Sequence, residues 1–113
     1  MVASKAKRPA DRFAGLRKGV LELLVLRMAS GEKLYVAEML KRLNSAGFKT
    51  SEGTLYPLLG RLRREGLIDH EWKESAAGPP RKYYALTRAG AQRLEALMAF
   101  IAQVSEAVAK AAA

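Results

Sequence analysis

Apolar residues recur with helical spacing in the first half of the chain. Arg17 to Ala29 carries apolar side chains around nearly its whole circumference, and such a helix must be buried on more than one side. Tyr35 to Ala46 has its apolar residues at positions i, i+3, i+4 and i+7, and Gly47 follows as a C-terminal cap. We therefore predict two helices, and we expect the first to pack against a second subunit as well as against its own core.

A third helix is predicted after a short connection. Ser51 can act as its N-cap, four leucines form its apolar stripe and Gly66 ends it. Two helices joined by a short turn that contains glycine are typical of a helix-turn-helix. Pro57 conflicts with this prediction because it lacks a backbone donor and weakens the first turns. The alternative is that residues 51–56 form a turn and the helix begins at Pro57.

The period then changes from helical spacing to alternation. Ile68, His70 and Trp72 alternate with charged residues, residues 75–80 have the composition of a loop, and residues 81–86 form a second strand candidate. The pattern predicts a β-hairpin with a six-residue tip. We expect Trp72 to pack against Tyr83 or Tyr84, with base stacking as the alternative.

A long helix is predicted to follow, with Thr87 as its N-cap and an end near Ala109. At ~1.5 Å per residue it would be roughly 30–35 Å long, too long for a small domain to cover. Its apolar residues repeat at spacings of 3 and 4, which indicates a heptad seam for dimerisation. The seam residues are Leu94, Leu97, Ile101, Val104 and Val108.

These elements predict a mainly α fold with a β-hairpin: a winged helix-turn-helix followed by a long C-terminal dimerisation helix. The predicted organisation is a flexible basic arm at 1–12, a DNA-binding domain at 13–87 and the dimerisation helix at 88–110.

Positive charge adds a candidate partner. The chain has 20 Lys and Arg against 11 Asp and Glu, a net charge of +9, with the excess in the N-terminal arm and in residues 61–90. A basic domain of this kind favours a polyanionic partner, usually nucleic acid, although charge that serves solubility is the alternative.

The predicted third helix has an outward face suited to DNA. Small residues at its centre would let the backbone approach a groove, and the hydroxyl and guanidinium groups beside them can reach phosphates and base edges. A merely solvated charged face is the alternative. The residues of this face are Gly53, Thr54, Tyr56, Pro57, Gly60, Arg61 and Arg64.

The hairpin tip offers a second basic surface. Gly78, Pro79 and Pro80 stiffen it, and Arg81 and Lys82 follow directly. A rigid basic tip suits contact with the minor groove or with phosphates, and an ordinary surface turn is the alternative.

Residue usage excludes most other classes of function. The chain has no cysteine and one histidine, which excludes disulfides, thiol catalysis and cysteine zinc sites and nearly excludes a multi-histidine metal site. No apolar run reaches the ~18 residues of a membrane helix, and no signal peptide is evident. We therefore predict a cytoplasmic binding protein with no catalytic residue, metal, cofactor or membrane partner.

Two motifs carry a family resemblance. The run Gly53-Thr-Leu-Tyr-Pro-Leu-Leu-Gly-Arg-Leu-Arg-Arg-Glu-Gly-Leu-Ile68 resembles the core of the PadR family of bacterial transcriptional regulators. Residues 78–90, Gly-Pro-Pro-Arg-Lys-Tyr-Tyr-Ala-Leu-Thr-Arg-Ala-Gly, resemble its wing, and the resemblance covers about residues 15–105. It implies a homodimeric repressor that binds a palindromic operator in double-stranded DNA. An unidentified small-molecule effector, with the dimer interface as its candidate site, would release the repressor.

The resemblance also implies site residues. Ser51, Thr54, Tyr56 and Pro57 match the family's recognition-helix contacts, and a proline in that helix is usual for it. The matching wing contacts are Pro79, Arg81 and Lys82.

Some members of the family stack flat drugs between tryptophans at the dimer interface. The last helix of this sequence has no tryptophan and so departs from them. The alternative function is a winged-helix protein-interaction module that does not bind DNA. The basic outer face argues against it.

Overall fold

The computed structural model describes residues 12–112, which form four helices and one two-stranded sheet. The predicted mainly helical fold with a β-hairpin is confirmed, and helix boundaries differ by a few residues. Residues 1–11 of the predicted basic arm lie outside the described residues. The elements are α1 (Ala14–Gly31), α2 (Val36–Ser45), α3 (Glu52–Arg64), β1 (Ile68–Ser75), β2 (Gly78–Leu86) and α4 (Arg88–Ala111).

Local signals end the helices where expected. Gly47 and Gly66 have positive φ angles of 87° and 77°, the left-handed conformation that glycine adopts at a helix C-terminus. Thr87 caps α4 by accepting a hydrogen bond from the backbone N–H of Gly90 at 3.0 Å. The helix α3 begins at Glu52, with Ser51 at the N-cap position, so Pro57 lies inside it. The alternative start at Pro57 is wrong.

One hydrophobic core connects all the elements. Leu26 of α1, Met39 of α2, Leu59 of α3 and Ile68 of β1 are each almost completely buried. This packing sets α3 across the body of the domain with its leucine stripe inward.

The start of α4 sits directly on the turn between α3 and β1. A Cβ atom at Gly90 would lie 1.9 Å from the carbonyl oxygen of Leu67, so only glycine permits this approach. The hydroxyl of Thr87 also donates to the carbonyl of Gly66 at 2.6 Å. The last helix is thereby anchored to the C-terminal end of α3.

The predicted six-residue hairpin tip is wrong. β1 continues to Ser75 and β2 begins at Gly78, which leaves two residues, Ala76 and Ala77, in the turn. Pro79 and Pro80 lie in β2. Both prolines are tolerated there because the register shifts between Lys73 and Ser75, which leaves Pro79 and Pro80 without partners in β1, so their missing N–H groups cost no ladder hydrogen bond.

The heptad seam on α4 divides into two parts. Leu94 is 7% exposed and belongs to the core of the chain itself, so its prediction as a dimerisation residue is corrected. Leu97 is half-buried against the same core, and Ile101, Val104 and Val108 are exposed. The correction follows from the position of Leu94, two turns into a helix whose start is anchored on the domain. Within the described chain, no helix is long and apolar enough to cross a membrane.

Candidate nucleic-acid interface

The outward face of α3 is exposed as its helical pattern predicts. Tyr56 is 51% exposed although its ring is large and apolar. The leucine at position 55 and those at 58, 59 and 62 are buried on the opposite side. Contact of this face with DNA stays a prediction. The other predicted residues exposed here are Ser51, Thr54, Pro57 and Arg64.

Arg61 is engaged within the chain. Its guanidinium donates to Glu22 at 2.8 Å and to Glu65 at 2.9 Å. Hydrogen bonds to Glu22 first, and then to Glu65, raise the pKa of Arg61 above its usual value. Arg61 lies on the flank of α3 with both bonds directed to carboxylates of the same chain. Its predicted contact with DNA would have to compete with these two bonds.

Glu22 connects three helices through its carboxylate. Besides Arg61 of α3, it accepts a hydrogen bond from Arg93 of α4 at 3.1 Å. Arg93 also lies 3.8 Å from Glu65, which closes a network of two acids and two bases. Neither these acids nor Arg93 are among the residues predicted from the sequence, although Glu22 interrupts an apolar run and such a buried carboxylate needs cations beside it.

The two predicted wing cations lie on opposite faces of the hairpin. Successive side chains of a strand alternate. The Arg81 guanidinium is 4.4 Å from the centre of the Tyr35 ring, beyond which the rings of Tyr35 and Tyr83 meet edge to face. Lys82 lies on the other face, with its Nζ 5.2 Å from the centre of the Trp72 ring. Pro79 is exposed near the turn.

Trp72 is 63% exposed, so the expectation that it packs against Tyr83 or Tyr84 is wrong. The register pairs Trp72 with Lys82, while Tyr83 lies on the opposite face and Tyr84 is buried against His70. An exposed indole beside an ammonium group is therefore available to a partner.

On the face of the hairpin that carries Trp72, the ring of His70 lies between those of Trp72 and Tyr84, with ring centroids 6.4 Å and 5.7 Å away. Nδ1 of His70 is buried there and has no hydrogen-bond partner within residues 12–112. Burial, and then the charges of Arg63 and Lys82, lower the pKa of His70, and Asp69 opposes the shift. Burial, and then the proximity of Tyr56, raise the pKa of Tyr84.

Among residues 12–112, no three acidic or histidine side chains are placed to hold a metal ion. The surface that remains combines a polar helix face, an exposed indole and several cations, all of which suit a large polyanion.

Comparison with known proteins decides the family. The profile of the Transcriptional regulator PadR-like family matches residues 25–96. The chain belongs to this family. As a PadR-like transcriptional regulator, it has the DNA-binding winged-helix fold that its helices and hairpin display, and the family is one of regulators.

Relatives and solved structures agree with this membership. The Transcriptional regulator Rv3488 of Mycobacterium tuberculosis is 32% identical over 74 residues, which cover 66% of this chain and 68% of that protein. The crystal structure of a PadR-like transcriptional regulator from Bacillus cereus is 41% identical, with a TM-score of 0.77, over 85% of this chain and 94% of that one. A PadR family regulator from Eggerthella lenta is 34% identical, with a TM-score of 0.79, over 89% and 88% of the two chains.

Proposed function

We propose that this PadR-like regulator is a homodimeric repressor that binds a palindromic operator in double-stranded DNA. The recognition helix α3 of each subunit enters one of two successive major grooves, and the hairpin lies alongside as the wing. The observation that carries the proposal is the outward face of α3. It keeps a tyrosine half-exposed between hydroxyl and guanidinium groups while the leucines beneath it are buried.

DNA contacts divide by side-chain chemistry. Thr54, Tyr56 and Arg64 can reach base edges and phosphates, and Ser51 stands at the N-terminus of α3, where free backbone N–H groups favour a phosphate. Lys82 supplies a point charge from the wing. A protein-interaction module would have no need for so many cations around one helix.

Dimerisation uses the exposed part of the seam on α4. Ile101 and Val104 are 39% and 40% exposed although both are large and apolar, and Val108 continues the stripe. Leu97 joins this stripe to the core of the domain. A second copy of α4 would cover these side chains and remove them from water.

Release from DNA would be controlled by a small-molecule effector at this dimer interface. Phe100 is an exposed aromatic residue that α4 offers there. As a regulator of transcription the protein would act in the cytoplasm, without catalytic residues or a cofactor.

The first test separates DNA contact from folding. Because Tyr56 is half-exposed, Tyr56→Ala should leave the melting temperature almost unchanged and weaken operator binding by roughly 1–3 kcal/mol. Thermal melting and an operator titration at fixed salt measure the two effects on one variant. A large fall in melting temperature with normal affinity of the folded fraction would place Tyr56 outside the interface.

The second test concerns the dimer. Ile101→Asp would bury an unpaired charge at the two-fold axis and should cost several kcal/mol of dimer stability. Ala99→Asp adds the same charge to an exposed position off the seam and serves as the control. Sedimentation should show a monomer for the first variant and a dimer for the second. If Ile101→Asp remains a dimer, α4 does not form the interface.

A further inference from the structure

A groove runs beside α3, and none of its lining residues belongs to the hairpin. It has a volume of about 750 Å³ and lies between the N-terminal half of α1 and the first turns of α3. Ala14, Leu21 and Leu58 form an apolar floor. Thr54 and Arg64 of the recognition face form one of its walls, so the groove is continuous with the proposed DNA-binding surface.

The rim of this groove is basic. Among the described residues its lining includes five cations and no carboxylate: Arg17, Lys18, Lys49, Arg61 and Arg64. Arg61 is neutralised by Glu22 and Glu65. Within residues 12–112, the ammonium groups of Lys18 and Lys49 form no ion pair. Lys18 on α1 and Lys49 before α3 therefore give the groove a positive charge that favours an anion.

Arg17 holds the two walls together. Its guanidinium donates to the backbone carbonyl of Lys49 and lies 4.4 Å from the centre of the Phe48 ring. This contact fixes α1 to the connection between α2 and α3. Lys18, the next residue on α1, is thereby kept at a set position relative to Lys49, so the groove is shaped before any partner arrives.

We propose that this groove binds the phosphate backbone of the DNA strand on the side of the major groove opposite the wing. Lys18 and Lys49 neutralise one phosphate each, and the hydroxyls of Thr50 and Ser51 lie beside them as hydrogen-bond donors. The inference rests on the proposed function, since it assigns a second backbone contact to the same DNA complex. An ammonium group acts as a point charge, so it suits phosphates better than planar base edges.

The contact predicts a specific change in salt dependence. Lys18→Ala and Lys49→Ala should each lower the slope of log affinity against log salt by about 0.9, and the double variant by about 1.8. Affinity for operator and for random duplex should fall by the same factor, because a phosphate contact carries no sequence information. Lys110→Ala, which removes the same charge from the far end of α4, is the control and should leave the slope unchanged.

Fluorescence titrations of the full chain with operator and random duplexes at several salt concentrations provide the slopes. A double variant with the slope of the control would overturn the groove contact while the proposed function stands. Loss of sequence preference at an unchanged slope would also overturn it, because the lysines would then read bases. If the wild-type chain binds no duplex, the proposed function and the groove contact both fail.

Discussion

Replacement of Glu22 by glutamine tests the network that joins α1, α3 and α4. Glutamine keeps the size of the side chain but removes the charge, so Arg61 and Arg93 are left with Glu65 as their shared partner. The Glu22 side chain is 12% exposed, whereas those of the two arginines are 35% and 42% exposed. Loss of one partner costs about 3–5 kcal/mol in a fully buried ion pair and under about 1 kcal/mol in an exposed one. Between these limits, we expect Glu22→Gln to lower the free energy of unfolding by about 1–3 kcal/mol.

Urea and thermal unfolding at matched protein concentration measure this loss, since the stability of the proposed dimer would depend on concentration. Glu106→Gln is the control because Glu106 pairs with Lys110 one helical turn away on an exposed face. The control should lose less than about 0.5 kcal/mol. If Glu22→Gln loses no more than Glu106→Gln, the network does not hold the three helices, and the position of α3 must be fixed by apolar packing alone.

Three further changes test the joint with α4, the buried His70 and the wing. Gly90→Ala would place a Cβ atom 1.9 Å from the Leu67 carbonyl oxygen and should lower the free energy of unfolding by about 3 kcal/mol. The control Gly15→Ala, which has open space around it, should not destabilise the fold, and a stable Gly90→Ala protein would contradict the close packing. Because its pKa is lowered, His70 resists protonation in the folded chain, so the wild type should lose stability relative to His70→Gln as the pH falls below about 6.5. Parallel curves of the free energy of unfolding against pH for the two proteins would exclude this linkage. Alanine at Arg81 or at Lys82 should each lower the salt slope of DNA binding by about one, and an unchanged slope with lost sequence preference would indicate base reading instead.

Helix ends were predictable because each depends on neighbours in the sequence. Gly47 and Gly66 adopt positive φ just after a helix, and Thr87 caps the helix that follows it. The hairpin tip was not predictable, because Pro79 and Pro80 have the composition of a loop but lie in a strand at a register shift that leaves both unpaired. Whether a proline lies in a loop or in an edge strand depends on the pairing of β1, which composition does not reveal.

The exposed centre of the site was predictable from helical geometry, and its flanks were not. Tyr56 lies away from the leucine stripe, so its exposure follows from the helix alone. Arg61 is bound by Glu22 from 39 positions earlier, and Arg81 lies over Tyr35 of another element. Such partners are brought together by tertiary packing, and helical or strand periodicity contains no information about them.

Selection of bound duplexes from a random DNA pool by the wild-type chain tests directly whether the protein reads DNA as a dimer. Two α3 helices related by a two-fold axis should enrich an inverted repeat whose half-sites are about 10–10.5 base pairs apart, or a multiple of this spacing. We expect the wild type to enrich such a repeat and Tyr56→Ala to lose this enrichment. Enrichment of a single asymmetric half-site would contradict the dimeric reading of DNA, and no enrichment above the starting pool would contradict sequence-specific binding itself.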